Sequence, residues 1–263
     1  MTAATGARSG AIHVLEHQLF AFRRTWRGGV FSTFLAPVLF LTAMGLGLGT
    51  FVDEAGSPAL EGVAYLVFLA PGLLASQAMQ VAAGESMYPI MSAITWNRTF
   101  QSMTSAPLTV PDVVLGVTFW LVIRLALVCA VFVAVSVVFG AMAIGPGIVM
   151  IPVAVLTGLA FALPISAFTA TQRTDQAFPV INRFVIIPLF IFSGTFFPID
   201  QLPAFLQPIA WLTPLWNGVS LARGIALGGL DPLVALWNLV VLVTYCGVGL
   251  AAALVTFRRR LVQ

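Results

Sequence analysis

The chain contains no lysine: all twelve basic residues among its 263 are arginine. A P-loop needs a lysine to reach the β- and γ-phosphates, and a Schiff base needs a lysine amine, so neither chemistry is available to this chain. Charge of either sign is scarce, at 8% of residues where soluble domains carry about 25%. Cysteine and histidine are rarer still. Cys129 and Cys246 fall inside separate apolar runs, and His13 and His17 lie near the N-terminus, neither pair with partners at metal-ligand spacing. Cysteines in lipid-embedded helices act as small packing residues, so neither a disulfide nor a metal site is expected. The nine acidic residues are scattered, with no HExxH, CxxC, GxSxG or Asp-rich cluster. A membrane enzyme needs an acid or nucleophile converging with other ionisable groups inside the bilayer. Only Arg124 and Arg183 are candidates, both cationic, and catalysis by this chain is not expected.

What is present is apolar sequence: 60% of residues are hydrophobic and the mean hydropathy is +1.03. That composition belongs to an integral membrane protein, and runs of about 20 apolar residues set the number of crossings. Six are predicted, over residues 30–52, 63–83, 113–139, 148–171, 178–197 and 232–257, in a single transmembrane domain covering 1–263. Residues 10–27 have helical periodicity with His13, Glu16, His17, Arg23, Arg24 and Arg27 around an apolar face. They read either as a cytoplasmic surface helix or as the flank of the first span. The net charge of +3 does not point to nucleic acid, because the arginines sit at the edges of apolar runs. Placing both termini inside puts Arg8, Arg23, Arg24, Arg27, Arg98, Arg173 and Arg258, Arg259 and Arg260 in the cytoplasm, with only Arg223 clearly outside.

Two connections stand out. Residues 84–111 form a long cytoplasmic loop containing Arg98, with a middle free of Gly and Pro that suits a short helix; Asp112 is placed to cap the third span. Residues 198–231 carry Pro198, Pro203, Pro208 and Pro214, so one continuous helix is excluded there. Yet Leu202, Phe205, Leu206, Ile209, Leu212 and Trp216 recur at helical spacing. Short, broken, one-sided helices with Trp211 and Trp216 fit a segment that dips into the membrane and caps a pathway, or a loop resting on lipid. Within the spans, Gln77 and Gln80 make one polar face, which should look inward. Arg124 either meets an anionic group of a substrate or lipid, or pairs with a neighbouring helix or snorkels. Glu85 is either an ion-pair partner or a solvated helix-end charge.

Four ordered motifs carry a family resemblance over nearly the whole chain: YLVFLAPGLLASQAMQVAAGESMYPI (65–90), NRTFQSMTSAPLTVPDVVLG (97–116), LTGLAFAL (156–163) and FSGTFFPIDQLP (192–203), with RRRL at 258–261. The chain resembles the permease subunit of type-2 ABC exporters, in particular the nodulation-factor and lipooligosaccharide export branch, and more distantly the daunorubicin-type drug permeases. The resemblance implies an all-α membrane protein of six spans with an N-terminal amphipathic helix and re-entrant helices between spans five and six. It implies a bacterial inner-membrane exporter of an amphipathic, lipid- or glycolipid-like substrate. Its partners would be two copies of a separate ATPase, which binds the ATP and Mg, and a second permease protomer, identical or different. No cofactor is expected in this chain itself.

The resemblance also assigns roles. Residues 85–104 would couple to the ATPase, with Glu85, Arg98 and Thr99 at matching positions, although Asn97-Arg98 stands where two basic residues are expected. Gln77, Gln80, Asn182 and Arg183, together with Arg124, are candidates for the substrate path. Phe196, Phe197, Leu202 and Phe205 are candidates for an exit gate. Drug efflux is the alternative within the family. A secondary transporter is the alternative outside it, and should show inverted repeats, which are not visible here.

Overall fold

In the computed structural model of the chain, residues 3–54, 63–196, 198–201, 203, 205 and 207–262 are described, apart from the side chains of 3–9, 25–33, 36, 46 and 200. Every regular element among the described residues is helical. Helix α1 (Ala3–Phe40) continues through a π-helical turn (Leu41–Leu48) into α2 (Gly49–Glu54). The sequence reading separated a surface helix at 10–27 from a first span at 30–52; one helical run covers both. Pro37 lies inside α1 without ending it, and the ladder widens to π geometry just beyond, where Gly45 and Gly47 stand. The first turns of α1 run alongside α5 in the same direction. Gly10 sits on Asp112, Val14 on Gly116, and the Phe22 ring lies 5.3 Å from that of Trp120.

Helix α3 (Tyr65–Met91) begins where the Asp53 side chain accepts a hydrogen bond from the Tyr65 N–H at 2.9 Å, supplying a cap that Ala64 lacks. It passes Pro71 and Pro89 and continues through a second π-helical turn, Ser92–Trp96. Helix therefore extends well into the loop expected at 84–111. It ends at Arg98, whose φ of 51° is the left-handed conformation that stops helices. After that corner α4 (Thr99–Ser105) forms, and α5 (Val110–Val138) follows. The cap of α5 differs from the expectation: Thr109, not Asp112, is the N-cap, and Asp112 occupies the third helical position of a reciprocal capping box. Its Oδ2 accepts from the Thr109 N–H at 2.8 Å, a contact open only to a residue three places on.

Helix α6 (Ile144–Thr171) is the centre of the bundle, packing against α3, α5, α10 and α11. Close approach needs small residues here: a methyl at Gly218 would strike Thr157 of α6, and one at Gly249 would strike Pro164. The fifth apolar segment is short: α7 (Ala177–Ile181), a π-helical turn (Asn182–Ile186) and α8 (Ile187–Phe192). The Pro-rich stretch then breaks into a 3₁₀ turn (Ile199–Gln201), α9 (Gln207–Leu212) and α10 (Pro214–Leu227), before α11 (Pro232–Leu261) closes the bundle. Thr213 and Asp231 cap α10 and α11 with their side chains, each followed at once by proline.

Among the described residues five helices are long and apolar enough to cross a membrane: Pro37–Glu54, Tyr65–Trp96, Val110–Val138, Ile144–Thr171 and Pro232–Leu261. The sixth expected span, 178–197, corresponds to the shorter apolar stretch Ala177–Phe192. The chain turns away at Ser193 and Gly194, where φ reaches 79°.

Candidate functional site

Glu85 and Arg124, considered separately above, meet. Arg124 Nε donates to Glu85 Oε1 at 3.0 Å. The Arg124 guanidinium carbon also lies 5.0 Å from the centre of the Phe22 ring. One side chain thus ties α1, α3 and α5 together. A lone arginine among apolar spans is costly, and this pairing is what offsets the cost. Arg124 Nη1 is buried and has no hydrogen-bond partner among the described residues. Beside the pair lies a cavity of about 530 Å³ that also takes in His17, Asn97, Thr99 and Trp120.

The coupling candidates surround the corner after α3. Asn97 Nδ2 donates to Ser92 Oγ at 2.8 Å, and Gln101 Nε2 donates to the Ile94 carbonyl at 2.6 Å, folding α4 back on the preceding turn. Phe100 is fully buried with its ring 6.0 Å from that of Phe257, which anchors α4 to the end of α11 beside Arg258, Arg259 and Arg260. Thr99 faces the cavity shared by Glu85 and Arg124; Arg98 is exposed at the corner.

Three of the path candidates come together elsewhere. Gln80 and Gly84 of α3 face Asn182 and Arg183 of the π-helical turn across a cavity of about 380 Å³, with Tyr88 and Phe178 packed edge to face, ring centres 5.2 Å apart, at its wall. Arg124 does not line this space, and Gln77 is half-buried outside both cavities. The neighbouring Asn182 and Arg183, both in the π-helical turn, line the same cavity.

At the opposite end of α3 the chain that follows α8 is held by polar contacts that sequence reasoning missed. Ser76 and Thr195 share a buried hydroxyl hydrogen bond of 2.8 Å, and Thr195 and Ser193 another of 3.0 Å. Gly72 lets the Thr195 backbone approach so closely that a Cβ there would lie 3.0 Å from its carbonyl oxygen. Arg223, taken from the sequence only as an orientation marker, donates from Nη2 to the Gly194 carbonyl at 2.9 Å and stacks on Phe68. Burial pushes its guanidinium down to about 10, so it remains charged at neutral pH. The signal was available: one arginine in an otherwise uncharged helix must find a partner. Of the gate candidates, Phe196 is half-buried, 5.0 Å from the Phe190 ring, its carbonyl accepting from the Tyr65 hydroxyl at 3.4 Å. Phe205 is exposed, and Phe197 and Leu202 lie outside the described residues.

Long apolar helices, a charge pair joining three of them and polar cavities between them are the features of an integral membrane protein. The chain belongs to the ABC-2 type transporter family, whose sequence model matches residues 12–227. It is 32% identical to Nodulation protein J of Rhizobium leguminosarum bv. trifolii over 228 residues, covering 87% of this chain and 85% of that protein. Nodulation protein J of Rhizobium leguminosarum bv. viciae is 30% identical over 250 residues, 95% of this chain and 94% of its own length. A more distant relative is the inner membrane transport permease YadH of Escherichia coli, 24% identical over 225 residues, 85% of this chain and 86% of that one. The resemblance read from the four sequence motifs is thereby borne out.

Proposed function

We propose that the chain is the membrane half of an ATP-driven exporter in a bacterial inner membrane, both termini cytoplasmic, carrying an amphipathic lipid- or glycolipid-like substrate outward. Two copies of a separate ATPase subunit bind and hydrolyse ATP, and a second permease protomer completes the path. The observation that carries this reading is the corner at Asn97-Arg98: a charged, exposed turn at the end of the longest apolar helix, clamped to α11 through Phe100. A push on α4 there is transmitted to α3, and through Glu85 and Arg124 to α5. Arg98 and Thr99 receive the ATPase, and Glu85 passes the movement on. Gln80, Asn182 and Arg183 form the polar stretch of the path, with Gln77 above them. Phe196 and Phe205, with Phe197 and Leu202, close the exit.

The test is a pull-down of the tagged protein in mild detergent, with ATPase assays of wild type, Glu85→Ala and Arg98→Ala. Co-purification of a P-loop ATPase whose hydrolysis changes in both variants is the expected result. Recovery of the chain without any nucleotide-binding partner, with no response to ATP, would return the assignment to a secondary transporter.

A further inference from the structure

The Glu85–Arg124 cavity has a feature that coupling does not use. Arg124 carries a buried donor, Nη1, with no partner among the described residues, while its Nε is engaged by Glu85. A buried guanidinium nitrogen left without an acceptor is costly, and the cavity of about 530 Å³ beside it is the size of a small-molecule site. The lining is divided in kind. His17, Asn97 and Thr99 offer polar groups, and Trp120, Phe22 and Ile90 form an apolar wall. The rim is exposed at His17 and Asn97. Arg23 and Arg98, both exposed, stand next in sequence to lining residues, and with Arg124 they outnumber the acids Glu16 and Glu85, so the surroundings favour an anion. A divided lining with the Arg124 guanidinium in its wall suits a ligand with one anionic end and one greasy end.

We infer that this cavity binds an anionic phospholipid, with its phosphate on the Arg124 guanidinium and its glycerol and first acyl carbons against Trp120, Phe22 and Ile90. The lipid fills the gap between α1, α3 and α5 and joins the Glu85–Arg124 contact to the membrane. It is distinct from the Gln80–Asn182–Arg183 space, which shares no lining residue with it. Its test involves no ATPase subunit and so stands apart from the transport proposal.

The experiment is native mass spectrometry of the detergent-purified protein titrated with phosphatidylglycerol, phosphatidylcholine or inorganic phosphate, on wild type and Arg124→Lys. Lysine keeps the charge opposite Glu85 but lacks the second nitrogen. Wild type should hold phosphatidylglycerol in preference to phosphatidylcholine, and Arg124→Lys should weaken that binding by roughly tenfold or more. Equal binding of the two lipids, or an unchanged affinity in a folded Arg124→Lys protein, would overturn the proposal. Displacement of the lipid by inorganic phosphate at matching concentration would overturn the lipid assignment. Should the lysine variant not fold, photo-crosslinking of wild type with phosphatidylglycerol bearing a diazirine near the glycerol decides. Adducts on 17–22 or 117–124 are expected, and adducts confined to other helices would refute the site.

Discussion

Arg223 lays its guanidinium carbon 3.8 Å from the centre of the Phe68 ring while the same side chain donates to the Gly194 carbonyl. A cation on a ring face, desolvated on one side and hydrogen-bonded on the other, is a strut between α10, α3 and the turn after α8. Arg223→Met keeps the bulk and removes both interactions, leaving the Gly194 carbonyl without this donor. The expected loss is about 2–4 kcal/mol, read as a lower melting temperature in detergent. Arg223→Lys should fall between the two, and an Arg223→Met protein as stable as wild type would remove the strut from the account.

The pH dependence of that strut follows from its sign. The folded group titrates at about 10, below the ordinary arginine value, so the unfolded chain binds more protons in between. Stability from this residue therefore rises with pH only above about 10 and is flat through neutrality. Melting curves of wild type and Arg223→Met should differ by a constant amount between roughly pH 6 and 9. A gap that changes across this window would show that Arg223 is not the charged strut described.

Two glycines of α3 separate packing from helix propensity. A methyl at Gly72 meets the Thr195 backbone, which cannot yield like a flexible side chain, whereas one at Gly84 meets nothing within 4 Å. Gly72→Ala is expected to destabilise by about 1–3 kcal/mol. Gly84→Ala should be neutral or stabilising by up to about 1 kcal/mol, because alanine favours helix. Thermal melts of both variants check the contrast, and equal effects would contradict the close approach at Thr195. Gly84 also lines the Gln80–Asn182–Arg183 cavity, so Gly84→Leu should reduce transport while leaving ATP hydrolysis by the assembled complex largely intact.

Much of this architecture was legible in the chain, and the reasons differ from place to place. Apolar run length marked Val110–Val138, Ile144–Thr171 and Pro232–Leu261 because in a membrane run length is the physical determinant. Four prolines marked the broken stretch because each removes a backbone donor. The partnership of Glu85 with Arg124 was not legible: they are 39 residues apart and on different helices, and only packing brings them together. The extension of α3 to Trp96 was hidden for another reason. The Gly84-Glu85 step read as the end of the span, whereas the helix continues through it and past Pro89, and stops at the conformation of Arg98. Asn182 and Arg183 were paired as path candidates from the sequence, but that Gln80 rather than Gln77 faces them is set by packing.

The Glu85–Arg124 contact can be weighed by a double-mutant cycle. Glu85→Gln leaves a largely buried guanidinium without its counterion and is expected to cost about 3 kcal/mol or more. Arg124→Gln leaves Glu85, a quarter exposed, and should cost less. The double Gln variant should lose clearly less stability than the two single losses added together, giving a coupling energy of about 1–3 kcal/mol. Additive losses in thermal or denaturant melts would mean that the two side chains do not depend on each other.

Arg98 allows charge and backbone to be told apart at the corner proposed to couple to the ATPase. Its left-handed conformation costs a non-glycine residue about 1–2 kcal/mol, which glycine does not pay. Arg98→Gly should therefore stabilise the corner slightly while deleting the charge, and Arg98→Lys should keep both the strain and the charge. Arg98→Val, β-branched at a positive φ, should destabilise it most. If the charge docks the ATPase, Arg98→Lys hydrolyses ATP like wild type and Arg98→Gly loses the stimulation despite a higher melting temperature. If the shape of the corner is what matters, Arg98→Gly retains activity and Arg98→Val alone fails. Stimulated hydrolysis and melting temperature measured on the same three proteins decide between the two. The side chain is exposed and makes no hydrogen bond or ion pair among the described residues, which favours the charge.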